Sequence, residues 1–243
     1  MVVAVPRSNH SARPICLDPF WTGRSLCARC AVRHSMPFAP LQPGDLESTL
    51  LPIDSYRIPA GTRLQHPGHA ADTVLTLRSG LVKVVEELSS GRHRILRLLR
   101  AGDVVGLEAL ATMRYQHRAD ALTEVEACRI PISVIEQLSR LRPELHASLT
   151  RRWRDNLAKA EHIMLDLLSG EVQARIARLL CLLDDFDQTM PFRMSRQDMA
   201  ALVDTSPETA SRVCSAFLQQ GWLKEDGPGF EIDREALRRL CKA

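Results

Sequence analysis

The sequence predicts an α+β chain in which a β-roll, a long helix and a C-terminal winged helix-turn-helix follow one another. Three observations predict it. Residues 50–132 are short β-branched and leucine-rich runs punctuated by Gly61, Gly68, Gly80, Gly91 and Gly102, the spacing of a compact all-β roll. After Pro143 the composition switches to helix formers as far as Leu168. Near the carboxyl end, two capped apolar segments are joined by a very short turn. The chain has 243 residues, 45% hydrophobic and 25% charged, enough apolar surface for real cores. No stretch approaches the roughly 18 apolar residues of a membrane span, so no membrane partner is expected. Arg7, Arg13 and Arg24 precede no apolar run of about 7 to 15 residues, and the expected location is the cytoplasm.

Residues 1–45 carry Pro6, Pro14, Pro19, Pro37, Pro40 and Pro43 without helical or strand periodicity, and read as an irregular arm. In the roll, assigned to residues 46–142, at least six strands are expected. Four of them are 73–77, 81–86, 94–99 and 127–130, with Ser89-Ser90-Gly91 as the hairpin turn between the second and third. Pro143 suits the first position of a helix that stops at Ser169-Gly170, giving a helical segment over 143–170. Its second half sets Trp153, Leu157, Ala160, Met164 and Leu167 at spacings of 4, 3, 4 and 3. Arg151, Arg152, Arg154, Asp155 and Glu161 surround this narrow seam, which suits a partner helix in a homodimer or packing on the chain's own roll.

A further helix over 171–185 opens the last part, residues 171–243. Ser195 caps a short helix with Asp198 three positions on and Met199, Ala200, Leu202 and Val203 on its apolar face. After Asp204 and Thr205, Ser206 caps a second helix with Pro207 at its first position, and Ala210, Val213, Cys214, Phe217 and Leu218 fall on one side. On its other side stand Glu208, Ser211 and Arg212, in the turn and a half of a recognition helix that reaches base edges. A Glu can accept from cytosine N4, and an Arg can donate to guanine O6 and N7. Thr205, Ser206 and Thr209 suit phosphate contacts. The bland alternative is that Glu208 and Arg212 form only an i,i+4 ion pair worth about 0.3 to 0.5 kcal/mol. Residues 222–224, the turn 227–229 and residues 230–232 read as a wing, and Asp233 caps a last helix. Double-stranded DNA is therefore the expected partner, although the formal charge is only +3 and residues 171–243 hold 10 Lys+Arg against 12 Asp+Glu, a net of −2.

This order of parts resembles the cyclic-AMP receptor protein and FNR superfamily of bacterial transcription regulators, over nearly the whole chain. The motifs that carry the resemblance are Ile58-Pro59-Ala60-Gly61, Leu77-Arg78-Ser79-Gly80-Leu81-Val82-Lys83, Leu99-Arg100-Ala101-Gly102-Asp103-Val104-Val105-Gly106 and Glu208-Thr209-Ala210-Ser211-Arg212. The resemblance implies a cyclic-nucleotide-binding-like roll, and the last motif, with Ser211, is similar to the FNR branch. It implies a palindromic site with half-sites like TTGAT, Arg212 and Glu208 at the G·C pair and Ser211 near a thymine, with RNA polymerase as a further partner. Cyclic-nucleotide binders of the family carry Gly-Glu-Leu and, about ten residues later, Arg-Ser or Arg-Thr. This chain has Gly106-Leu107-Glu108-Ala109-Leu110 and His117-Arg118-Ala119, which argues against cyclic AMP.

Seven cysteines are an odd number in a chain large enough to fold without disulfides. Cys27 and Cys30 stand at the spacing that metal clusters favour, Cys16 lies in the same arm and Cys128 on the last strand of the roll. Oxygen-sensing members of the family hold a [4Fe-4S] cluster with three arm cysteines and one on this strand, and Cys27, Cys30 and Cys128 match that pattern. Family members place the remaining arm cysteine near residues 35–38, where this chain has none, leaving Cys16. A ten-residue loop closes at a cost that grows slowly with length. Zinc on Cys16, Cys27, Cys30 and His34, a dithiol switch, haem or a nucleotide, or no cofactor, are the alternatives. Cys181, Cys214 and Cys241 read as small core residues. No Ser-His-Asp set, phosphate-cradling loop or paired carboxylates point to an enzyme.

Overall fold

The structure, a computed structural model, describes residues 18–25, 30, 33–35, 39–41, 53–186, 192, 194–227 and 229–241. Two sheets build the roll. Strands β1 (Trp21–Arg24), β2 (Asp54–Ile58), β4 (Thr73–Ser79), β7 (Val104–Val105) and β9 (Val125–Pro131) form one, in the order β1-β2-β9-β4-β7. Strands β3 (Arg63–Gln65), β5 (Val82–Glu87), β6 (His93–Leu99) and β8 (Arg118–Ala121) form the other, in the order β3-β8-β5-β6. Every pairing is antiparallel. The expected turn joins β5 to β6: Gly91 N–H donates to Leu88 O at 2.8 Å, and Gly91 has φ +76°. Between β4 and β5 the chain needs Gly80, with φ +84°, where an added Cβ would lie 2.2 Å from Glu124 O.

Alternation along β4 and β9 gives the first sheet two apolar faces. Leu75, Leu77, Val125 and Ala127 point into the roll with Ile58, Val82, Val84 and Leu99. Val74 and Ile130 point outward into a second core with Ile53, Leu41 of the arm, and Ile132, Ile135, Leu138, Leu145 and Leu149. The last residues belong to helices that follow a single turn, α1 (Ala109–Thr112): α2 (Ile132–Leu141) and the long α3 (Pro143–His162). The arm is thus less irregular than its prolines suggest. Its β1 extends the sheet edge with Trp21 opposite Tyr56, and Leu41 is buried.

The long helix departs from expectation at its end. After His162 the hydrogen bonding widens into a π turn over Ile163–Leu167. The wider turn rotates the side chains out of the α spacing. Leu167, expected on the outer seam, is 1% exposed and packs in the C-terminal core, while Leu165 is 69% exposed.

Helices α4 (Val172–Phe186), α5 (Arg196–Val203), α6 (Pro207–Gln219) and α7 (Arg234–Cys241), with the antiparallel hairpin β10 (Leu223–Asp226) and β11 (Gly229–Ile232), complete the chain. Ile176, Leu180, Met199, Leu202, Val213, Phe217 and Leu237 form the centre of their core. Val85, Ile95 and Leu98 of the roll join that core, so the two domains share one apolar seam. Each such side chain withdrawn from water contributes about 1.5 to 3 kcal/mol, against about 0 to 1 for an exposed ion pair. Apolar contact therefore docks the C-terminal domain on the roll, and the ion pairs around it fix the orientation.

Candidate nucleic-acid interface and cysteine site

Two helix caps set the geometry of the C-terminal pair. Ser195 Oγ accepts from Asp198 N–H at 3.1 Å and donates to the Asp198 carboxylate at 2.9 Å. Asp204, with φ 50°, ends α5 in the left-handed region, which an Asp tolerates better than most residues. Ser206 Oγ accepts from Thr209 N–H at 3.2 Å, and Pro207 occupies the first turn of α6. Only Thr205 and Ser206 then separate Asp204 from α6, which makes the turn tight.

Helix α6 divides into two faces, except that Leu218, expected on the apolar side, is 38% exposed at its end. Ala210, Val213, Cys214 and Phe217 are buried, whereas Ser206, Glu208, Ser211 and Arg212 are exposed and Thr205 and Thr209 are half-buried. The Glu208 carboxylate is held below the usual range by its own backbone N–H and then by the Ser206 hydroxyl, as expected for an anion at a helix N-terminus. Among the described residues Glu208 and Arg212 form no i,i+4 ion pair. Arg212 donates instead to Thr209 Oγ1 at 3.4 Å, a long bond that leaves most of its fork for an outside acceptor. Asp233 caps α7 through Ala236 N–H at 3.0 Å.

The cysteine candidates divide differently. Cys16 and Cys27 lie outside the described residues, so their place is not defined. Cys128 sits on β9 between Ser55 and Thr76 of the flanking strands, on the outer face that the arm approaches. Ser25 Oγ donates to Cys128 Sγ at 3.3 Å and lies 2.9 Å from Ser55 Oγ. Burial pushes the Cys128 thiol up, Ser25 and Arg78 pull it down, and Cys30 lies close enough that its charge raises it again. Among the described residues, the arm residue in contact with Cys128 is Ser25. His34 is exposed, and among the described residues no group of three or more His, Cys, Asp or Glu is arranged to hold a metal. Cys214 is fully buried, Cys181 and Cys241 pack on the same core, and burial pushes Cys181 up to about 11.

Inside the roll, the position expected to grip a nucleotide phosphate is otherwise engaged. Arg118 pairs with Asp120 at 2.9 Å, and Gln65 donates to His117 O at 2.9 Å and to Glu108 at 3.4 Å. A Cβ at Gly106 would lie 2.9 Å from Tyr115 and 3.1 Å from Gln65, so the chain's own side chains fill that turn. Between β6 and α3 lies a groove of about 1030 Å³ lined by Trp153, Leu157, Ala160 and Met164 together with Arg97 and Glu108. Trp153, Leu157 and Met164 are 42%, 60% and 64% exposed, and Ala160 is half-buried.

A capped helix pair with a free polar reading face, a wing and a supporting roll define a DNA-binding transcription regulator. The Cyclic nucleotide-binding domain family matches residues 56–141 and the Crp-like helix-turn-helix domain family matches residues 174–240. The chain belongs to the cyclic-AMP receptor protein/FNR superfamily. Transcriptional activator protein FnrA of Stutzerimonas stutzeri is 28% identical over 179 residues, covering 71% of this chain and 73% of that protein. A CRP-like cAMP-activated global transcriptional regulator of Mycobacterium tuberculosis is 26% identical over 206 residues, covering 81% and 91%. A CRP-family regulator from Thermus thermophilus has the same fold, with a TM-score of 0.69 at 26% identity over 77% of this chain and 96% of that one.

Proposed function

We propose that the protein is a homodimeric, sequence-specific regulator of the FNR type. In this reading it binds a palindromic site with half-sites like TTGAT and responds to oxygen or redox state through a cysteine-ligated [4Fe-4S] cluster, acting by binding rather than catalysis in the cytoplasm, with RNA polymerase as a further partner. The observation that supports the DNA reading is the exposed row Ser206, Glu208, Ser211 and Arg212 on a helix whose opposite side is buried. Its assignment is Arg212 and Glu208 to a G·C pair, Ser211 to a neighbouring thymine, and Thr205, Ser206 and Thr209 to phosphates. Arg212→Ala is expected to relax discrimination at that one pair by about 1 to 3 kcal/mol. Binding titrations against single-substituted sites check this, and an equal weakening on every sequence contradicts the assignment.

The sensing half of the reading is supported by the contact of Ser25 of the arm with Cys128 of the roll, with Cys30 five residues further along the same arm. Two half-buried thiols from separate parts of the chain, Cys30 and Cys128, suit a soft metal site, and Cys16 and Cys27 would complete the set of four. A bound cluster would supply bonds that break on oxidation. The chain's own contribution is to tie the arm, through Trp21–Arg24, Ser25 and Leu41, to the sheet that carries α2 and α3, and so to couple the arm to the exposed seam Trp153, Leu157, Ala160 and Met164. A dimer places two reading helices on two half-sites, which neither chain does alone.

A second reading, a regulator that answers to a small ligand without a cluster, is favoured by the groove between β6 and α3. Burial lowers the Arg97 pKa there, the mark of a cation short of solvent. In that case a Cys128→Ser change leaves DNA binding and its oxygen response unaltered.

A further inference from the structure

The helix-turn-helix carries an awkward charge for its task. Over residues 195–219 it holds Arg196 and Arg212 against Asp198, Asp204 and Glu208, a net of −1. Arg196 is moreover engaged with Glu225, and Asp204 stands in the turn just before the reading helix. Phosphate backbones are bound chiefly by cations, so a site built from this segment alone repels what it must approach.

The β5–β6 hairpin of the roll meets this segment at three carboxylate contacts. Lys83 Nζ lies 2.5 Å from Asp198 Oδ1, with both side chains 17% exposed. Arg92 and Arg94 both reach Asp204 Oδ1, at 3.2 and 2.8 Å. Lys83, Asp198 and Arg92 also line a cleft of about 390 Å³ that Gly91 and His93 share with Gln197, Thr205 and Pro207. Adding the three hairpin cations turns the local balance from −1 to +2. The docking also leaves the reading face open. Facing the roll across the cleft are Gln197, Asp198, Ala200, Ala201, Thr205 and Pro207, with Asp204 paired to Arg92 and Arg94, while Ser206, Glu208, Ser211 and Arg212 stay exposed. Arg92 is 60% exposed beside the start of α6, where a bound duplex presents its phosphates.

We propose that the β5–β6 hairpin is a second part of the DNA interface: Arg92 and Arg94 neutralise Asp204 and supply phosphodiester contacts at the start of the reading helix, while Lys83 seats Asp198. The inference rests on the DNA reading of α6. It differs in kind from base recognition, because the hairpin acts on the backbone and should not care about sequence.

The test is a titration of the full-length protein, prepared without air, against an inverted-repeat duplex and a scrambled one at several salt concentrations. For an Arg92→Ala, Arg94→Ala double variant we expect affinity for both duplexes to fall on the order of tenfold, with the preference between them retained. The salt slope should drop by about 1 for each phosphate that the variant no longer neutralises. Arg92→Lys with Arg94→Lys should keep most of the slope, since the charge is retained, and Asp204→Asn in the alanine background should recover part of the affinity. Unchanged affinity and slope in a folded double variant overturn the proposal while leaving the α6 assignment standing, and tighter binding overturns it in favour of a restraining role for the hairpin. A wild-type protein that binds neither duplex defeats both.

Discussion

Leu157→Asp combined with Met164→Asp is expected to leave a folded monomer that binds an inverted-repeat duplex some 10² to 10⁴-fold more weakly than the parent. The two side chains are 60% and 64% exposed and line the open groove beside β6, one on the long helix and one in the π turn that continues it. Substitutions at such surface positions usually change stability within about 0.5 kcal/mol, so thermal unfolding should barely move. A second copy laid along this face would bury both, and an aspartate placed there is then desolvated without a partner. Linking two reading helices makes the second half-site encounter intramolecular, and that gain disappears with the dimer. Sedimentation and DNA titration on one air-free preparation decide it. A variant that stays dimeric, or a monomer that keeps full affinity, shows that the seam has another use.

Cys128→Ser is expected to abolish iron retention. Wild-type protein purified without air should be coloured, with about four iron and four sulfide per chain, and should bleach in air as its DNA affinity falls. Serine keeps the size of the side chain and its place between Ser55 and Thr76, but removes the soft thiolate. A colourless parent that takes up no iron on reconstitution, or a Cys128→Ser variant as iron-rich as the parent, contradicts the cluster. One zinc per chain and no iron identifies the zinc alternative.

The parts of this molecule that local rules govern were legible in the sequence. Ser195 and Ser206 cap the expected helices, Gly91 closes the expected hairpin, and the reading face of α6 is the one its spacing implies. Helix α2 was there to be found as well, since Ile132, Ile135 and Leu138 recur at helical spacing; it was hidden by its position directly after a strand. The π turn was not legible, because widening at Ile163 answers to packing of Ile163 and Leu167 against the C-terminal core, and no single residue announces it. Strand β1 is only four residues long, too short to show alternation within a proline-rich segment, and it is edge pairing with β2 that defines it. Ser25 beside Cys128, and Lys83, Arg92 and Arg94 beside Asp198 and Asp204, join positions over a hundred residues apart. Such neighbours follow from the docking of whole domains, which periodicity does not encode.

The most direct measurement of the central claim is the ratio of affinities for an inverted repeat of TTGAT half-sites and for a scrambled duplex of the same composition, taken first without air and then in it. A preference of at least about 10³-fold is predicted without air, much reduced on exposure. Equal binding to the two duplexes under both conditions would contradict it.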